Sequence, residues 1–356
     1  MSAHNQPHAP TTSRATLADV AKLAGVSGST ASLAFSGGSI SPATRERVMA
    51  AARELNYSGP DPRARSLRQG RSGIVGVIIE DRVLNSFRDP MTLAALDGIS
   101  QELGEGSGLL LLTATGDGES TIQSAVFDAA IFMGCSPHLA RSIEIMRQRS
   151  VPMVAIEGQA FEGVLAVSID NREASASLAR LVRDLGHRRV ATVTLPLTSV
   201  RERGPVTPEL VGAATTAVSL DRLEGAREVY PELGGIVAAG SSSDEGFAAG
   251  LALLSGAADA RPTAIIAQSD LLAVGVIRAA ESLGLGVPAD VTVVGFDGAR
   301  IEGLTDHDLT TIRQPATEKG RAAGRAVTDL LAGTPAFDVS FTSVLHVGST
   351  SGPVPA

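Results

Sequence analysis

From residue 73 onward, short apolar runs alternate with longer amphipathic segments. Nine runs have the length and apolar content of buried strands: GIVGVII, GLLLLT, AAIFM, PMVAI, AVSI, RVATVT, GIVAA, TAIIA and VTVVGF. Strands that are apolar throughout are covered on both faces, which is typical of parallel sheets between helices. Two consecutive groups of such strands indicate two similar subdomains. Because ligands of such sheets bind beyond the carboxyl ends of the strands, we expect a cleft where the subdomains face each other.

The composition fits a globular chain of this kind. With 356 residues, 44% of them hydrophobic and 19% charged, the chain is long enough for two or three domains. Its first residues are polar, and no run approaches the roughly 18 apolar residues of a membrane span. We therefore expect a cytoplasmic protein without a membrane partner. A single cysteine, Cys135, excludes an internal disulfide and a cysteine-based zinc site.

Charge is distributed unevenly along the chain. Residues 1–72 carry nine basic side chains against four acidic ones, whereas the whole chain has a net charge of −8. A basic head on an acidic body suits a module that docks on DNA phosphates while the body stays away from the duplex. A solvated charged surface with a chance asymmetry is the alternative that this observation leaves open.

Residues 16–58 show the pattern of a three-helix head, and we predict that residues 1–15 before it are disordered. Thr16 and Ser27 are placed to cap helices over residues 17–24 and 28–35. Gly25 between these helices supplies the positive φ of a sharp corner. Three apolar residues are expected to point into the core that the two helices share: Leu23, Val26 and Ala31. This spacing is typical of a helix-turn-helix, although an ordinary helical hairpin would show a similar one.

A third helix and a basic linker follow. The stretch SPATRERVMAAARELNY begins with a serine cap and a proline at the first helical position, and it predicts an amphipathic helix. We predict a hinge over residues 59–72, where Gly59, Pro60 and Pro62 break the helix and RARSLR can form one short amphipathic turn. Such a short helix is marginal in water, so it would fold when it meets DNA.

These motifs carry a family resemblance. TLADVAKLAGVS, SPATRERVMAAARELNY and ARSLRQGRSGIVGVI resemble the DNA-binding head and hinge of the LacI/GalR family of bacterial transcription regulators. PTAIIAQSDLLAVGVIRAAESLGLGVPADVTVVGFDG resembles the effector-binding and dimerisation core of that family. The fold class implied is an N-terminal all-α helix-turn-helix domain plus an α/β periplasmic-binding-protein-like core of two doubly wound parallel-sheet subdomains. The partners implied are a palindromic double-stranded DNA operator, a small-molecule effector with a sugar among the candidates, and a second copy in a homodimer.

The resemblance also implies how DNA is bound. In the family the second helix lies in the major groove, and a hinge helix from each subunit enters the minor groove with a leucine wedged between base pairs. Leu67 stands at the wedge position and Ala64 at the close-contact position. The implied DNA-binding residues are Thr16, Leu17, Ser27, Gly28, Ser29, Thr30, Ser32, Leu33, Ser41, Thr44, Ala64 and Leu67.

The second helix departs from the usual pattern of base readers. Gly28, Ser29 and Leu33 stand where family members usually carry long polar side chains, and Leu33 replaces what is commonly an arginine. We expect weak or differently composed base readout, with apolar contact between Leu33 and a thymine methyl as one form of it, and indirect readout through the hinge kink. The alternative is that Leu33 faces the core.

For the core, the resemblance implies that the chain crosses between subdomains near residues 167, 297 and 325. The N-subdomain would comprise about 73–167 and 298–325, and the C-subdomain about 168–297 and 326–356. The implied effector-binding residues are Phe87, Asp89, Arg222, Asp270 and Asp297, each with a structural ion pair or helix cap as the alternative. Because only 3% of the residues are aromatic, and rings usually grip sugars and purines, an effector that is neither of these, or no effector at all, is the alternative to a sugar.

An enzyme would need a catalytic constellation that the sequence lacks. The six histidines show no paired metal-ligand spacing, and no Gly-x-Ser-x-Gly elbow is present. His187 is better interpreted as a residue that ends a helix, and Cys135 has no identifiable base. We therefore expect no catalytic residue, no metal and no cofactor. The competing hypothesis to a regulator is a small-molecule-binding protein whose head binds DNA weakly or without specificity.

Overall fold

This computed structural model describes residues 15–59, 71–80, 83–114, 118–134, 139–299, 301 and 307–355. The contacts between residues divide the chain into two units, residues 1–72 and 73–356. The hinge positions Ala64 and Leu67, the start of the chain and Cys135 lie outside the described residues.

The head consists of three helices, each begun by the capping residue that the sequence predicts. They are α1 (Leu17–Ala24), α2 (Gly28–Ser36) and α3 (Pro42–Glu54). Thr16 and Asp19 form a reciprocal capping box on α1, while Ser27 and Ser41 accept hydrogen bonds from backbone amides of α2 and α3. Gly25 turns the corner at φ 63°, as predicted. The prediction of three short helices with a sharp corner is confirmed.

Small apolar residues fill the core of the head. Its buried members are Val20, Ala21, Ala24, Ala31, Ala34, Val48, Ala51 and Ala52. The prediction that Leu23 points into this core is wrong, because its side chain is 46% exposed. Leu23 lies about 100° around α1 from the centre of the face that Val20, Ala21 and Ala24 bury.

The first subdomain of the core is built on a six-stranded parallel sheet. Its strands stand in the order β12-β5-β4-β3-β1-β2. Its helices lie between its strands in the sequence, but its last helix and last strand come after most elements of the second subdomain. The elements are β1 (Ile74–Ile79), α4 (Val83–Ser86), α5 (Pro90–Glu102), β2 (Gly108–Thr113), α6 (Gly118–Ser124), β3 (Ala129–Met133), α7 (Ala140–Gln148), β4 (Met153–Ile156), β5 (Val164–Ile169), α13 (Ala316–Ala332) and β12 (Val339–Phe341).

The second subdomain has a seven-stranded sheet in the order β13-β11-β10-β9-β6-β8-β7, in which only the edge strands β7 and β13 pair antiparallel. Its elements are α8 (Asn171–Asp184), β6 (Val190–Thr194), β7 (Gly204–Pro205), α9 (Pro208–Gly212), α10 (Ala217–Arg227), β8 (Gly235–Val237), α11 (Ser243–Leu254), β9 (Ala264–Ala267), α12 (Asp270–Ser282), β10 (Thr292–Asp297), β11 (Thr310–Arg313) and β13 (Val344–His346). All nine predicted strands are present, and the predicted fold class is confirmed.

The chain crosses between the subdomains near residue 170, at residues 314–315 and at residues 342–343. The predicted crossings near residues 297 and 325 are therefore wrong. Strand β11 pairs with β10, so the chain stays in the second subdomain until Arg313. Helix α13 then packs against α5 of the first subdomain, and β12 pairs with β5. Strand β11 was not predicted from the sequence because TTIR contains a single apolar residue and so lacks the pattern of a buried strand.

Glycines allow α5 and α13 to approach closely. A Cβ on Gly98 would lie 2.0 Å from the Thr317 carbonyl oxygen, and a Cβ on Gly320 would lie 2.1 Å from the Ala95 carbonyl oxygen. Only a residue without a side chain fits at these two positions. This contact brings the first turn of α13, with Lys319, to the edge of the sheet where β3 and β4 end.

None of the helices that the structure describes combines the length and the apolar composition needed to span a bilayer.

Candidate functional site

A cavity of about 260 Å³ lies between the two subdomains. The carboxyl ends of strands from both sheets surround it: Met133 and Ile156 close β3 and β4, and Asp297 closes β10. The start of α5 contributes Met91 and Thr92. Because the carboxyl ends of the strands in both sheets point to this cavity, it occupies the place where open α/β sheets bind ligands.

Six polar side chains form a closed ring at this cavity, which we call the cleft ring. Its members are Asn171, Arg222, Asp297, Gln314, Lys319 and Glu157. Glu157 and Lys319 belong to the first subdomain, while Arg222 and Asp297 belong to the second. Asn171 and Gln314 lie at two of the crossings. The ring therefore ties the subdomains together where the chain passes between them.

Arg222 is the most heavily engaged member of the ring. Its side chain is 4% exposed, and its Nε donates to Asn171 Oδ1 at 2.9 Å while Nη1 donates to the Gln268 carbonyl oxygen at 2.6 Å. The guanidinium lies 3.6 Å above the ring centroid of Phe296, and Nη1 is 3.7 Å from Asp297 Oδ1. A buried cation needs such partners to offset lost hydration. Burial lowers the pKa of Arg222, while the carboxylates of Asp297 and Glu157 oppose that shift.

The opposite side of the ring is an ion pair in the first subdomain. Lys319 Nζ donates to Glu157 Oε1 at 2.8 Å and to Gln314 Oε1 at 2.5 Å. Glu157 Oε2 accepts a hydrogen bond of 2.7 Å from Asn171 Nδ2. The Lys319 and Glu157 side chains are 5% and 14% exposed, so water screens this pair little.

Asp297 combines backbone strain with a perturbed charge. Its φ of 135° lies in the region that favours glycine, and Glu157 has a positive φ of 65°. Burial raises the pKa of Asp297 to about 8; Arg222 opposes this shift, and the carboxylates of Asp270 and Asp89 add to it. Asp297 Oδ1 accepts a hydrogen bond of 2.6 Å from Gln314 Nε2.

The structure brings together three of the five residues implied as effector contacts. Asp89, Arg222 and Asp297 line the cavity, but Asp270 and Phe87 do not. Asp270 is fully buried and holds its own subdomain together: Oδ1 accepts from Thr311 Oγ1 at 2.6 Å, and Oδ2 accepts from the Ala299 amide at 2.7 Å. Phe87 is 56% exposed. Because Asp270 is buried inside its subdomain and Phe87 does not line the cavity, neither is retained as an effector contact.

Four of the six members of the cleft ring were not predicted from the sequence: Asn171, Glu157, Gln314 and Lys319. Glu157 and Gln314 follow strands β4 and β11, which is a signal that could have found them, and Lys319 lies one turn into α13. Asp89 also caps α5, since its carboxylate accepts from the Met91 amide and the Thr92 hydroxyl. His187, interpreted as structural, is fully buried and hydrogen-bonded to Thr263 and the Gly352 carbonyl.

The residues that line the cavity are short or aliphatic between its charged groups, and none of those that the structure describes there is aromatic. Ser241 lines the cavity and donates to Ser269 Oγ at 2.9 Å. Arg201 donates to the Glu80 carbonyl oxygen of the other subdomain at 2.8 Å.

In the head, the described residues implied as DNA contacts cluster around the helix starts. Ser27 Oγ lies 2.8 Å from both Ser29 Oγ and Thr30 Oγ1, and Ser41 Oγ lies 2.8 Å from Thr44 Oγ1. Hydroxyls at helix N-termini suit phosphate contacts, because the helix dipole and free amides also favour an anion there. The remaining described members of the set are Thr16, Leu17, Gly28, Ser32 and Leu33.

Replacing Arg222 with methionine should destabilise the core strongly at about pH 9, above the pKa of about 8 of Asp297, because the ionised Asp297 carboxylate would lose its buried counter-charge. We expect a loss of about 3–5 kcal/mol in the free energy of unfolding measured with urea. Arg172→Met is the matched control: Arg172 pairs with Glu224 and Glu228 on the surface, where water screens the charges, so its loss should change the free energy of unfolding much less. Equal losses in the two variants would contradict this account of the ring.

The raised pKa of Asp297 predicts how stability depends on pH. The folded protein holds this proton more tightly than the unfolded chain, so the contribution is full below about pH 4 and is lost as pH rises to about 8. Burial also raises the pKa of Asp270, to about 6. Between about pH 6 and 8 the loss of stability therefore comes from Asp297 and not from Asp270. Urea unfolding of Asp297→Asn should show a flatter pH dependence than wild type in that upper window. An unchanged slope would contradict the assignment.

Comparison with known proteins relates both units to one family. The family model "bacterial regulatory proteins, lacI family" matches residues 16–59, and the model of a periplasmic binding protein-like domain matches residues 179–348. An HTH-type transcriptional regulator of Mycolicibacterium smegmatis is 34% identical over 98% of this chain and 98% of its own length.

Solved structures show the same relation. The crystal structure of a LacI-family transcriptional regulator from Corynebacterium glutamicum is 26% identical, with a TM-score of 0.71 over 94% of this chain and 98% of that one. A complex of the transcriptional regulator CelR with cellobiose is 25% identical, with a TM-score of 0.65 over 95% of this chain and 100% of that one. On its head, its two-sheet core and these relatives, the chain belongs to the LacI family of bacterial transcriptional regulators.

Proposed function

We propose that the chain is a homodimeric repressor of the cytoplasm that binds a palindromic DNA operator and responds to a small, neutral, polyhydroxylated effector. It catalyses no reaction in this proposal. The observation that carries the effector control is the cavity between the subdomains, because both subdomains supply its lining. A ligand held by both sides favours one relative geometry of the subdomains over another.

The charges around the cavity favour a neutral effector. Arg222 already faces Asp297, Lys319 is paired with Glu157, and Asp89 is engaged in capping α5. An anionic or cationic ligand would have to break one of these buried pairs, whereas hydroxyl groups can both donate to carboxylates and accept from the cations. The cellobiose complex of CelR supports a sugar-type ligand for this kind of core. Without an aromatic among the described lining residues, the ligand would be held by its edges through hydrogen bonds.

An exposed apolar patch on the first subdomain supports the homodimer. Leu84, Phe87 and Leu93 are 57%, 56% and 43% exposed within ten residues of sequence at α4 and α5. Adjacent large apolar side chains on a surface are typical of a protein interface. Phe87, which does not line the cavity, is therefore proposed as a subunit contact.

DNA binding is assigned to the head and to the hinge positions Ala64 and Leu67. The assignment of these two hinge positions rests on the sequence alone. Hydroxyls at the starts of the three helices would hold phosphates, and the wedge of Leu67 would kink the operator. Since both heads of a dimer bind the same duplex, the operator would contain two inverted half-sites.

Selection of duplexes from a random DNA pool tests the DNA-binding part of the proposal. Purified full-length protein should enrich a palindrome with a flexible central step, and Leu67→Ala should lose that enrichment while keeping salt-sensitive, non-specific binding. The reason is that the mutant retains the phosphate contacts but not the wedge. Binding without any enriched sequence would favour the alternative, a ligand-binding protein with a non-specific head.

A thermal-shift screen tests the effector part of the proposal. Neutral sugars and polyols should raise the melting temperature of the wild-type protein more than sugar acids or sugar phosphates do. Val218→Phe, which fills part of the cavity, should abolish the shift, because Val218 is one of the lining residues. Val126→Phe, at a 67% exposed position outside the cavity, is the control and should keep it. Stronger shifts with anionic ligands would overturn the neutral assignment.

A further inference from the structure

The exposed surface of α2 lacks the side chains that usually identify bases. Its sequence, GSTASLAFS, contains no charged residue and no amide. Direct readout in the major groove depends chiefly on bidentate hydrogen bonds from arginine, lysine, asparagine or glutamine. The hydroxyls of Ser29 and Thr30 are held against Ser27 at the start of the helix. Helix α2 therefore cannot read a base pair in the usual bidentate way.

Leu33 is the large apolar side chain that α2 leaves exposed. It is 40% exposed, whereas its neighbours Ala31 and Ala34 are buried in the core of the head. The alternative from the sequence, that Leu33 faces the core, is therefore not supported. Single exposed leucines are common on protein surfaces, so this exposure establishes that the Leu33 side chain is accessible to a groove of DNA.

The loop after α2 holds Leu33 in place. A Cβ on Gly38 would lie 2.4 Å from Leu33 Cδ2, so the leucine side chain packs against the bare backbone of this glycine. The Gly38 amide donates to the Leu33 carbonyl oxygen at 3.1 Å. Arg45 from α3 fixes the same loop, since its Nη2 donates to the Gly38 carbonyl oxygen at 2.7 Å and its Nη1 to the Ala34 carbonyl oxygen at 2.5 Å. The Leu33 side chain is thus an exposed apolar group that its contacts hold in one position.

The major groove offers one apolar group that an exposed leucine can contact, the C5-methyl group of thymine. We propose that Leu33 determines operator specificity by burying a thymine methyl in each half-site, with Gly38 and Arg45 as its positioning residues. This inference rests on the proposed function, because it requires α2 to lie in the major groove. Removing one buried methyl should weaken binding about fourfold per half-site, the equivalent of one buried methylene group.

Replacing single thymines with deoxyuridine tests the proposal, because this change removes only the methyl group. Duplexes that carry the selected operator are substituted at one thymine position per half-site, and their dissociation constants are measured at fixed salt. Wild-type protein should lose about fourfold in affinity per half-site at one position and little at the others. Leu33→Ala should bind the unmodified operator more weakly and should show no further loss at that position. Converting the sensitive thymine pair to a 5-methylcytosine pair should weaken wild-type binding less than converting it to a cytosine pair.

Leu23→Ala is the matched control, since Leu23 is a similarly exposed leucine on α1. This variant should keep the wild-type sensitivity to deoxyuridine. Circular dichroism of both variants checks that the head stays folded, and Leu33→Met should restore part of the methyl sensitivity. Tolerance of deoxyuridine at every position, or sensitivity retained in Leu33→Ala, would overturn the inference while leaving the repressor proposal intact. Failure to select any operator would instead count against the proposed function itself.

Discussion

The two subdomains are joined by buried charge. In the cleft ring two cations, the Glu157 carboxylate and the Asp297 side chain are joined by hydrogen bonds and ion pairs that pass from the first subdomain, across two crossings, to the second. Removing one member leaves its partner buried without a counter-charge, which costs far more free energy than the loss of an ion pair on the surface. The third crossing is held in the same manner, because Asp170 Oδ1 accepts from both the amide and the hydroxyl of Ser343. The relative position of the subdomains thus depends on these polar contacts together with apolar packing near the crossings, where Ile169 and Phe341 of the first sheet pack against the core of the second subdomain.

This arrangement makes the cleft a place where a small molecule can have a large effect. A ligand among the ring residues would replace hydrogen bonds between the subdomains with hydrogen bonds to itself. The subdomains could then settle in a geometry that the empty ring does not favour, because the two states differ in contacts to the ligand. A few kcal/mol of differential binding is enough to move such an equilibrium from one state to the other. The strained backbone at Glu157 and Asp297 lies at the same place, where strain often accompanies function.

Much of the fold could be predicted from the sequence because its signals are local. A Ser or Thr cap, a glycine at a corner and an apolar run of five or six residues each act within a few positions of the chain. The three head helices and all nine predicted strands therefore appear where expected. The errors arise where the position of a residue depends on contacts with residues that are distant in the sequence. Strand β11 is defined by its pairing with β10, and α13 by its packing against α5 through Gly98 and Gly320, so the crossings were misplaced. Asp270 and Phe87 were grouped with the cavity, although Asp270 is held by β11 and Phe87 faces solvent.

By itself the sequence determined the three-helix head, the parallel two-sheet core and the absence of long polar readers on α2, because helix caps, strand runs and side-chain chemistry are properties of short segments. Only the tertiary structure decided which side chains share the cleft. Lys319 and Glu157 are 162 residues apart in the chain, and they meet because α13 returns to the first sheet after all strands of the second sheet except β13. It also decided that Leu33 lies outward on Gly38, since periodicity could not choose between core and surface for one leucine. Contacts between distant segments depend on topology, and topology is set by the packing of all the elements together.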